Sequence, residues 1–288
     1  VLEVVLGGLI LGGMYGLVAL GLNIQYGVSR ILNLAYGEFL IGGAFIAFFA
    51  VMGGWHLNPF VSLLASAPIA FVLSWLVYRL LMLPLVRRAP DQDALDADVV
   101  LVTFGLFFVM QGLALVNWSG DLRGYSFLAV GVDIFGATVA LNRLVACLGA
   151  CAIALVLFLV LRHTRVGSAL RAMTIDPVAA ELMGVDVRRY SALAFAAGGA
   201  LAATAGMLVS TFVSFTATSG VDYTLKALIV VIMAGVGRVT GTLAAGLLLG
   251  VVEQVGGYLI DPALTLAINF GLFTLILLLR PTGLFTRA

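Results

Sequence analysis

Three ionisable side chains, Glu38, Lys226 and Glu253, stand inside otherwise apolar stretches of this chain. A charge at membrane depth is costly, so such a group is read first as part of a path for ions or solutes, with a named partner. Glu38 closes the run Asn33-Leu34-Ala35-Tyr36-Gly37-Glu38. That run sets an amide, a phenol and a carboxylate beside a residue with no side chain. These groups can hydrogen-bond a polar solute. Each also has a plainer reading: a helix-end hydrogen bond for Glu38, snorkelling to the interface for Lys226, and structural pairing for Glu253. Catalytic chemistry finds little support. His56 and His163 are far apart, and Cys147 and Cys151 read as small packed apolar residues. There is no paired-carboxylate motif, no G-x-S-x-G elbow and no phosphate-binding G-x-x-x-x-G-K-[ST] loop. No metal site, bound cofactor or nucleic-acid partner is expected.

The second informative segment is the loop 162–190. Asp176 is placed to cap a short helix, Pro177 suits its first position, and Gly184 suits the left-handed residue just past its end. Val178 and Leu182 stand one turn apart and form an apolar knob, with Met183 beside it. Such a short helix is marginal alone. It needs a groove, either on this protein or on a partner.

The elements that must carry these groups follow from composition. The chain of 288 residues is 62% hydrophobic and 10% charged, against roughly 25% charged in an ordinary soluble domain. Its charge-free runs approach or exceed the roughly 20 residues that cross a hydrocarbon core. With no strand alternation, helices must satisfy the backbone. The expected fold is all-α: a single polytopic membrane domain over 1–288 with about eight or nine transmembrane or broken helices, at 4–22, 34–52, 60–83, 99–118, 140–161, 191–213, 222–236, 239–258 and 264–280. The first is read as a retained span, because it lacks a basic leader and its apolar run is long.

Threading these spans puts Arg30, Arg79, Arg87, Arg88, Arg162, Arg165, Arg171, Arg188, Arg189, Arg238, Arg280 and Arg287 on one side. That side is expected to be cytoplasmic, with the C-terminus. The acidic run Asp91 to Asp98 then reads as a solvated cytoplasmic loop, and the stretch from Trp118 to Thr138 as an outer one. Glycines recur at spacing four, as Gly8, Gly12 and Gly16 do, which suits close helix packing. Gly235-Val236-Gly237-Arg238 interrupts two apolar runs and predicts a broken helix. Gly27-Val28-Ser29-Arg30 repeats its G-V-x-R pattern.

Ala179-Ala180 followed after three residues by Gly184 resembles the E-A-A-x-x-x-G core with which ABC importer permeases engage their ATPases, with Val178 where that motif has Glu. The wider stretch Leu170-Arg171-Ala172-Met173 through Asp176 to Asp186 is similar to the branched-chain amino-acid permeases, the LivH/LivM family, and the shorter length of the chain favours the LivH side of the pair. Gly13 to Gly21, Asn33 to Glu38, Thr103 to Leu106, Gln111-Gly112, Gly235 to Gly237 and Arg280 to Phe285 resemble the family in the same order. Tyr36 stands where the family usually has His. The resemblance implies a channel-forming permease subunit in the bacterial inner membrane, moving branched-chain or other hydrophobic amino acids. It implies a second permease subunit (a sister LivM-like chain or a second copy), two cytoplasmic ATPase subunits holding ATP and Mg, and a periplasmic binding protein. Arg171, Asp176, Ala179, Ala180, Leu182 and Gly184 are the expected coupling residues. Asn33, Tyr36, Gly37, Glu38, Lys226, Gly235, Gly237 and Glu253 are the candidates for the pathway. Two other readings stay open: the same importer type carrying urea, amides or organic acids, and an ion-coupled transporter using Glu38 or Glu253.

Overall fold

The computed structural model describes residues 2–53, 58–125, 127–134, 137–261, 264–280 and 283–284. His56, Pro281, Thr282, Phe285 and Arg287 lie outside the described residues. The helices are α1 (Leu2–Ser29), α2 (Tyr36–Met52), α3 (Pro59–Arg88), α4 (Gln92–Trp118), α5 (Leu141–His163), α6 (Arg165–Ile175), α7 (Pro177–Leu182), α8 (Val187–Ser210), α9 (Gly220–Ala234), α10 (Val239–Leu259) and α11 (Thr265–Leu279). Six of these, α1, α3, α4, α5, α8 and α10, are long and apolar enough to cross a membrane. A hairpin of β1 (Gly131–Ile134) and β2 (Ala137–Ala140) pairs Val132 with Val139, a feature the sequence reading did not contain.

Most helix boundaries fall within a few residues of the expected spans, with two instructive differences. The acidic run is not a loop. Asp91 caps α4, its Oδ1 accepting from the Ala94 amide at 2.8 Å, and Asp93 and Asp96 occupy the opening turns. Carboxylates favour that end of a helix because they meet free amides and the positive end of the helix dipole. The first helix also runs on to Ser29 rather than ending near residue 22. Gly27 stays helical there because it is the contact point: a Cβ would stand 3.1 Å from the Gly237 Cα. In α3 the ladder opens into a π turn at Tyr78–Met82, directly before Pro84, where the missing proline donor would otherwise interrupt α-helical bonding.

Backbone contact between helices holds the bundle. On α1 and α10, a Cβ at Gly8 would come within 2.8 Å of the Val251 Cα, and one at Gly12 within 2.6 Å of the Leu247 Cα. A Cβ at Gly246 would meet Gly16 at 2.5 Å. Gly43 and Gly206 play the same part between α2 and α8, lying on the backbones of Ala203 and Leu40. Lipid is as apolar as leucine, so association must come from close van der Waals contact, which small residues permit.

One buried polar knot ties four helices. Lys226 of α9 meets Glu253 of α10 at 2.8 Å, the single salt bridge among the described residues. Tyr15 of α1 donates to the same carboxylate oxygen at 3.0 Å and accepts from Lys226 at 2.8 Å. Asn269 of α11 donates to the other carboxylate oxygen at 2.7 Å. The ammonium also lies 4.6 Å from the Tyr15 ring centre. At the opposite end of the bundle from most of the arginines, around Arg123, Phe45 stacks on Trp118 at 4.3 Å and meets Phe215 edge-on at 5.2 Å. Tyr125 bonds Ser210 there at 3.0 Å, and burial pushes its phenol above the ordinary tyrosine value.

Two outcomes are expected. Gly12→Leu should cost more than the ~1–3 kcal/mol of ordinary overpacking, read as a lower unfolding midpoint in detergent; an unchanged midpoint would separate α1 from α10. Glu253→Leu alone should cost ~3–5 kcal/mol, because it strands Lys226, while adding Lys226→Met should recover most of that loss. Equal losses in single and double variants would show that the pair does not act as a unit.

Candidate functional site

The run containing Asn33 and Glu38 forms a break inside the protein. Arg30, with φ of 55°, turns the chain out of α1. Ile31 to Ala35 then runs back without helical structure, and Ile31, Asn33 and Ala35 are buried. Unpaired backbone at this depth is tolerated only where protein encloses it. Local bonds do part of the work: the Asn33 side chain accepts from the Ala35 amide at 3.1 Å. The wholly buried Tyr36 donates to the Val18 carbonyl at 2.7 Å. Val18 lies about three turns, or ~16 Å, before the end of α1. The helix α2 therefore starts deep within the bundle.

It starts against the beginning of another short helix. The Gly37 amide donates to Thr224 Oγ1 at 2.8 Å, and Thr224 donates to the Gly220 carbonyl at 3.1 Å. A Cβ at Gly37 would collide with that carbonyl, so no other residue fits there. The Glu38 side chain is 4% exposed and lies against Gly220, the first residue of α9. Its Oε1 has no hydrogen-bond partner among the described residues. A carboxylate thus sits where the N-termini of α2 and α9 converge, the position that helix dipoles favour for negative charge. Beside it, a cavity of about 140 Å³ is lined by Leu34, Phe104, Phe107, Val221, Thr224, Leu225 and Leu228.

The predicted break at Gly235 is present. Gly235 and Gly237 have φ of 85° and 80°, which side-chain-bearing residues rarely adopt. Asn23 of α1 closes this gap: its Oδ1 accepts from the Gly237 amide at 2.6 Å, and its Nδ2 donates to Thr242 Oγ1. Leu284 donates to the Met233 carbonyl at 2.8 Å, laying the chain beyond α11 over the same break. The two G-V-x-R segments meet here through Gly27 and Gly237.

The loop 162–190 forms α6 and α7. Asp176 Oδ1 accepts from the amides of Val178 and Ala179 at 2.9 and 3.0 Å. At the other end, Gly184, with φ of 86°, donates to Glu181 at 2.9 Å, and Val185 donates to Ala180 at 3.0 Å. This reciprocal pair satisfies the last carbonyls. Ala180 is buried, whereas Val178 is 66% exposed and Ile175, Leu182 and Met183 are each 84% exposed. Arg171 and Ala179 are exposed, and Arg171 bonds only Ser168 among the described contacts, at 3.3 Å. The apolar knob therefore faces away from this chain.

The candidate pathway residues separate into three groups. Asn33, Tyr36, Gly37 and Glu38 share the first break. Gly235 and Gly237 form the second. Lys226 and Glu253 satisfy one another in the knot with Tyr15 and Asn269, so Glu253 has the partner its burial demands. The residues missed by the sequence reading are Asn23, Thr224, Tyr15, Thr242 and Asn269. Their signal was available, since each is a hydrogen-bonding residue within an apolar span, but uncharged groups in such spans often bond their own helix.

The family model for "Branched-chain amino acid transport system / permease component" matches residues 4–279. The chain is 29% identical to the high-affinity branched-chain amino acid transport system permease protein BraD of Pseudomonas aeruginosa, over 99% of this chain and 96% of that protein. It is 28% identical to LivH of Escherichia coli K12 over the same shares. A probable LivH permease of Methanocaldococcus jannaschii is 25% identical over 89% of this chain and 81% of its own. Among solved structures, PsaBC of Streptococcus pneumoniae in complex with Fab superposes with a TM-score of 0.50 at 14% identity, covering 96% of this chain and 91% of that one; this likeness concerns the fold. With a polytopic helical bundle, a buried break ahead of α2 and a family match over nearly its whole length, the chain belongs to the permease components of branched-chain amino-acid transport systems.

Proposed function

We propose that this chain is the membrane permease subunit of an ATP-driven importer and that its cargo is a branched-chain or similar hydrophobic amino acid. The observation that carries the coupling half of this reading is the exposed apolar helix α7, capped at both ends by its own sequence and left without a groove on its own chain. Nucleotide-binding subunits supply that groove, and ATP with Mg is held there. The arginine-bearing end of the bundle, with Arg30, Arg162, Arg171 and Arg238, faces the cytoplasm. The C-terminus lies on that side. The opposite, aromatic end receives the solute from a periplasmic binding protein. A second permease subunit, either a sister LivM-like chain or a second copy, completes the path.

The cargo half rests on the first break. Its apolar cavity suits an aliphatic side chain, whereas the amide, hydroxyl and carboxylate groups of Asn33, Thr224 and Glu38 suit a polar head. Closing of the ATPases would push on α7, tilt α6 and repack the glycine-rich break at Gly235, moving α9 against α2. This is a two-state element biased by an interface. The substitution of His by Tyr36 leaves a buried phenol tied to Val18 rather than a free imidazole, so Tyr36 positions α2 and does not contact solute. The closed Lys226–Glu253 pair leaves Glu38 as the carboxylate available to the path.

Two results are expected. Gly184→Val forces a β-branched residue into left-handed backbone, costing ~1–3 kcal/mol locally, and should lower uptake about tenfold or more while the protein still inserts. Unchanged uptake with unchanged substrate-stimulated ATP hydrolysis would remove α7 from coupling. Glu38→Gln should reduce uptake of leucine in reconstituted vesicles more than it reduces assembly of the complex; uptake at the parental rate would remove Glu38 from the path.

A further inference from the structure

At the arginine-bearing end, α1, α5, α6 and the start of α10 enclose a cleft of about 340 Å³. That is within the ~300–1,000 Å³ typical of sites for small ligands. Its walls are apolar: Ile24 and Val28 of α1, Phe158 and Leu161 of α5, Leu170 of α6 and Val239 of α10. Its rim carries two guanidinium groups, Arg162 and Arg171. Neither has a carboxylate within salt-bridge distance among the described residues. Arg162 lies 5.9 Å from the Phe158 ring centre, and Arg171 reaches only Ser168. The outer face of α5 leading to this cleft is greasy, with Leu155, Val156, Leu159 and Val160 all exposed. Arg162 stands in its last turn, where the membrane-spanning run ends.

An apolar slot beside the exposed apolar face of α5, with two arginines free of carboxylates at the end of its membrane-spanning run, has one chemistry that matches both parts. We propose that it holds an anionic phospholipid, with an acyl chain in the slot and its phosphate on Arg162 and Arg171. Basic pockets between helices near the cytoplasmic surface bind such headgroups, and arginine is the side chain suited to phosphate. The site has a mechanical consequence. Thr174, on α6, and Gly237, in the second break, both line the cleft. The lipid would therefore fill the space between the coupling loop and the hinge that the loop moves. The inference does not depend on the identity of the transported solute. It rests on the proposed orientation only in placing the site in the inner leaflet.

The test is native mass spectrometry of the assembled transporter, titrated with phosphatidylglycerol or phosphatidylcholine of identical chains. The unmodified complex should retain phosphatidylglycerol more tightly. Replacing each arginine, in Arg162→Gln and Arg171→Gln, should weaken that retention roughly fivefold, with no comparable change for phosphatidylcholine. Thr240→Trp, at the exposed edge of the slot, should block retention while leaving the charges in place. Arg87→Gln with Arg88→Gln, remote in the fold on the same side, serves as the control for general surface charge. Equal retention of both lipids, an equal loss in the control, or retention unaffected by Thr240→Trp would each overturn the proposal. Loss of an ATPase or permease subunit in the arginine variants, with lipid retention unchanged, would assign this face to a protein partner instead.

Discussion

The side chain of Asn23 closes a gap in the backbone of a different helix. By accepting from Gly237 and donating to Thr242, it pins the turn between α9 and α10 to α1 at the arginine-bearing end of the bundle. Asn23 is itself buried, so its amide needs these partners, and the turn is held where it can supply them. The rest of the architecture follows from that constraint. The helix α1 must pass close to the break, and glycines on α1 and α10 allow it. The short helix α9 must be anchored along its length; Lys226 ties it to α10 and α1, and Glu253 in turn accepts from Asn269 of α11. At its first turn, Thr224 anchors α2.

This arrangement divides the molecule into a tightly packed centre and weakly held edges. The helices α1, α8, α9 and α10 bury backbone against backbone. By contrast, α4 exposes Leu101, Phe104, Phe108, Val109, Leu113 and Val116, and α7 exposes its apolar side to the solvent region. Within a membrane the first pattern is ordinary lipid contact or subunit contact. The second is not, because α7 sits in a polar loop with Glu181, Asp186, Arg188 and Arg189 around it. Under the proposed function, this capped two-turn helix with its bare apolar side is the element that docks on the ATPase. Its connection through α6 to Thr174, beside Gly237, gives a short physical route from that partner to the break.

Much of this was legible in the sequence because the signals were local. The cap, first-position proline and left-handed glycine of α7 are each one-residue rules, and all three hold. The break at Gly235 was legible from glycine spacing between apolar runs. The depth at which α2 begins was not, since it depends on how far residues 31–35 climb back along α1, which no periodicity records. The acidic run that opens α4 reads as a loop for a physical reason: Asp91, Asp93 and Asp96 look solvated, and they are, yet carboxylates also favour helix N-termini. Lys226 and Glu253 could be seen as costly separately, but their pairing lies across 27 residues and two helices. The family resemblance, carried by Asn33 to Glu38 and by the loop around Ala180 to Gly184, anticipated the match over residues 4–279.

In the proposed function, nucleotide-binding partners drive this subunit through α7. Native mass spectrometry of the complex, gently extracted from its own membrane, tests this most directly. The account expects two permease-sized chains with two nucleotide-binding subunits, and loss of the latter when Leu182 is replaced by Asp. Contradiction would be a folded chain that retains no ATPase under conditions preserving another such importer, together with uptake that collapses when an ion gradient alone is dissipated.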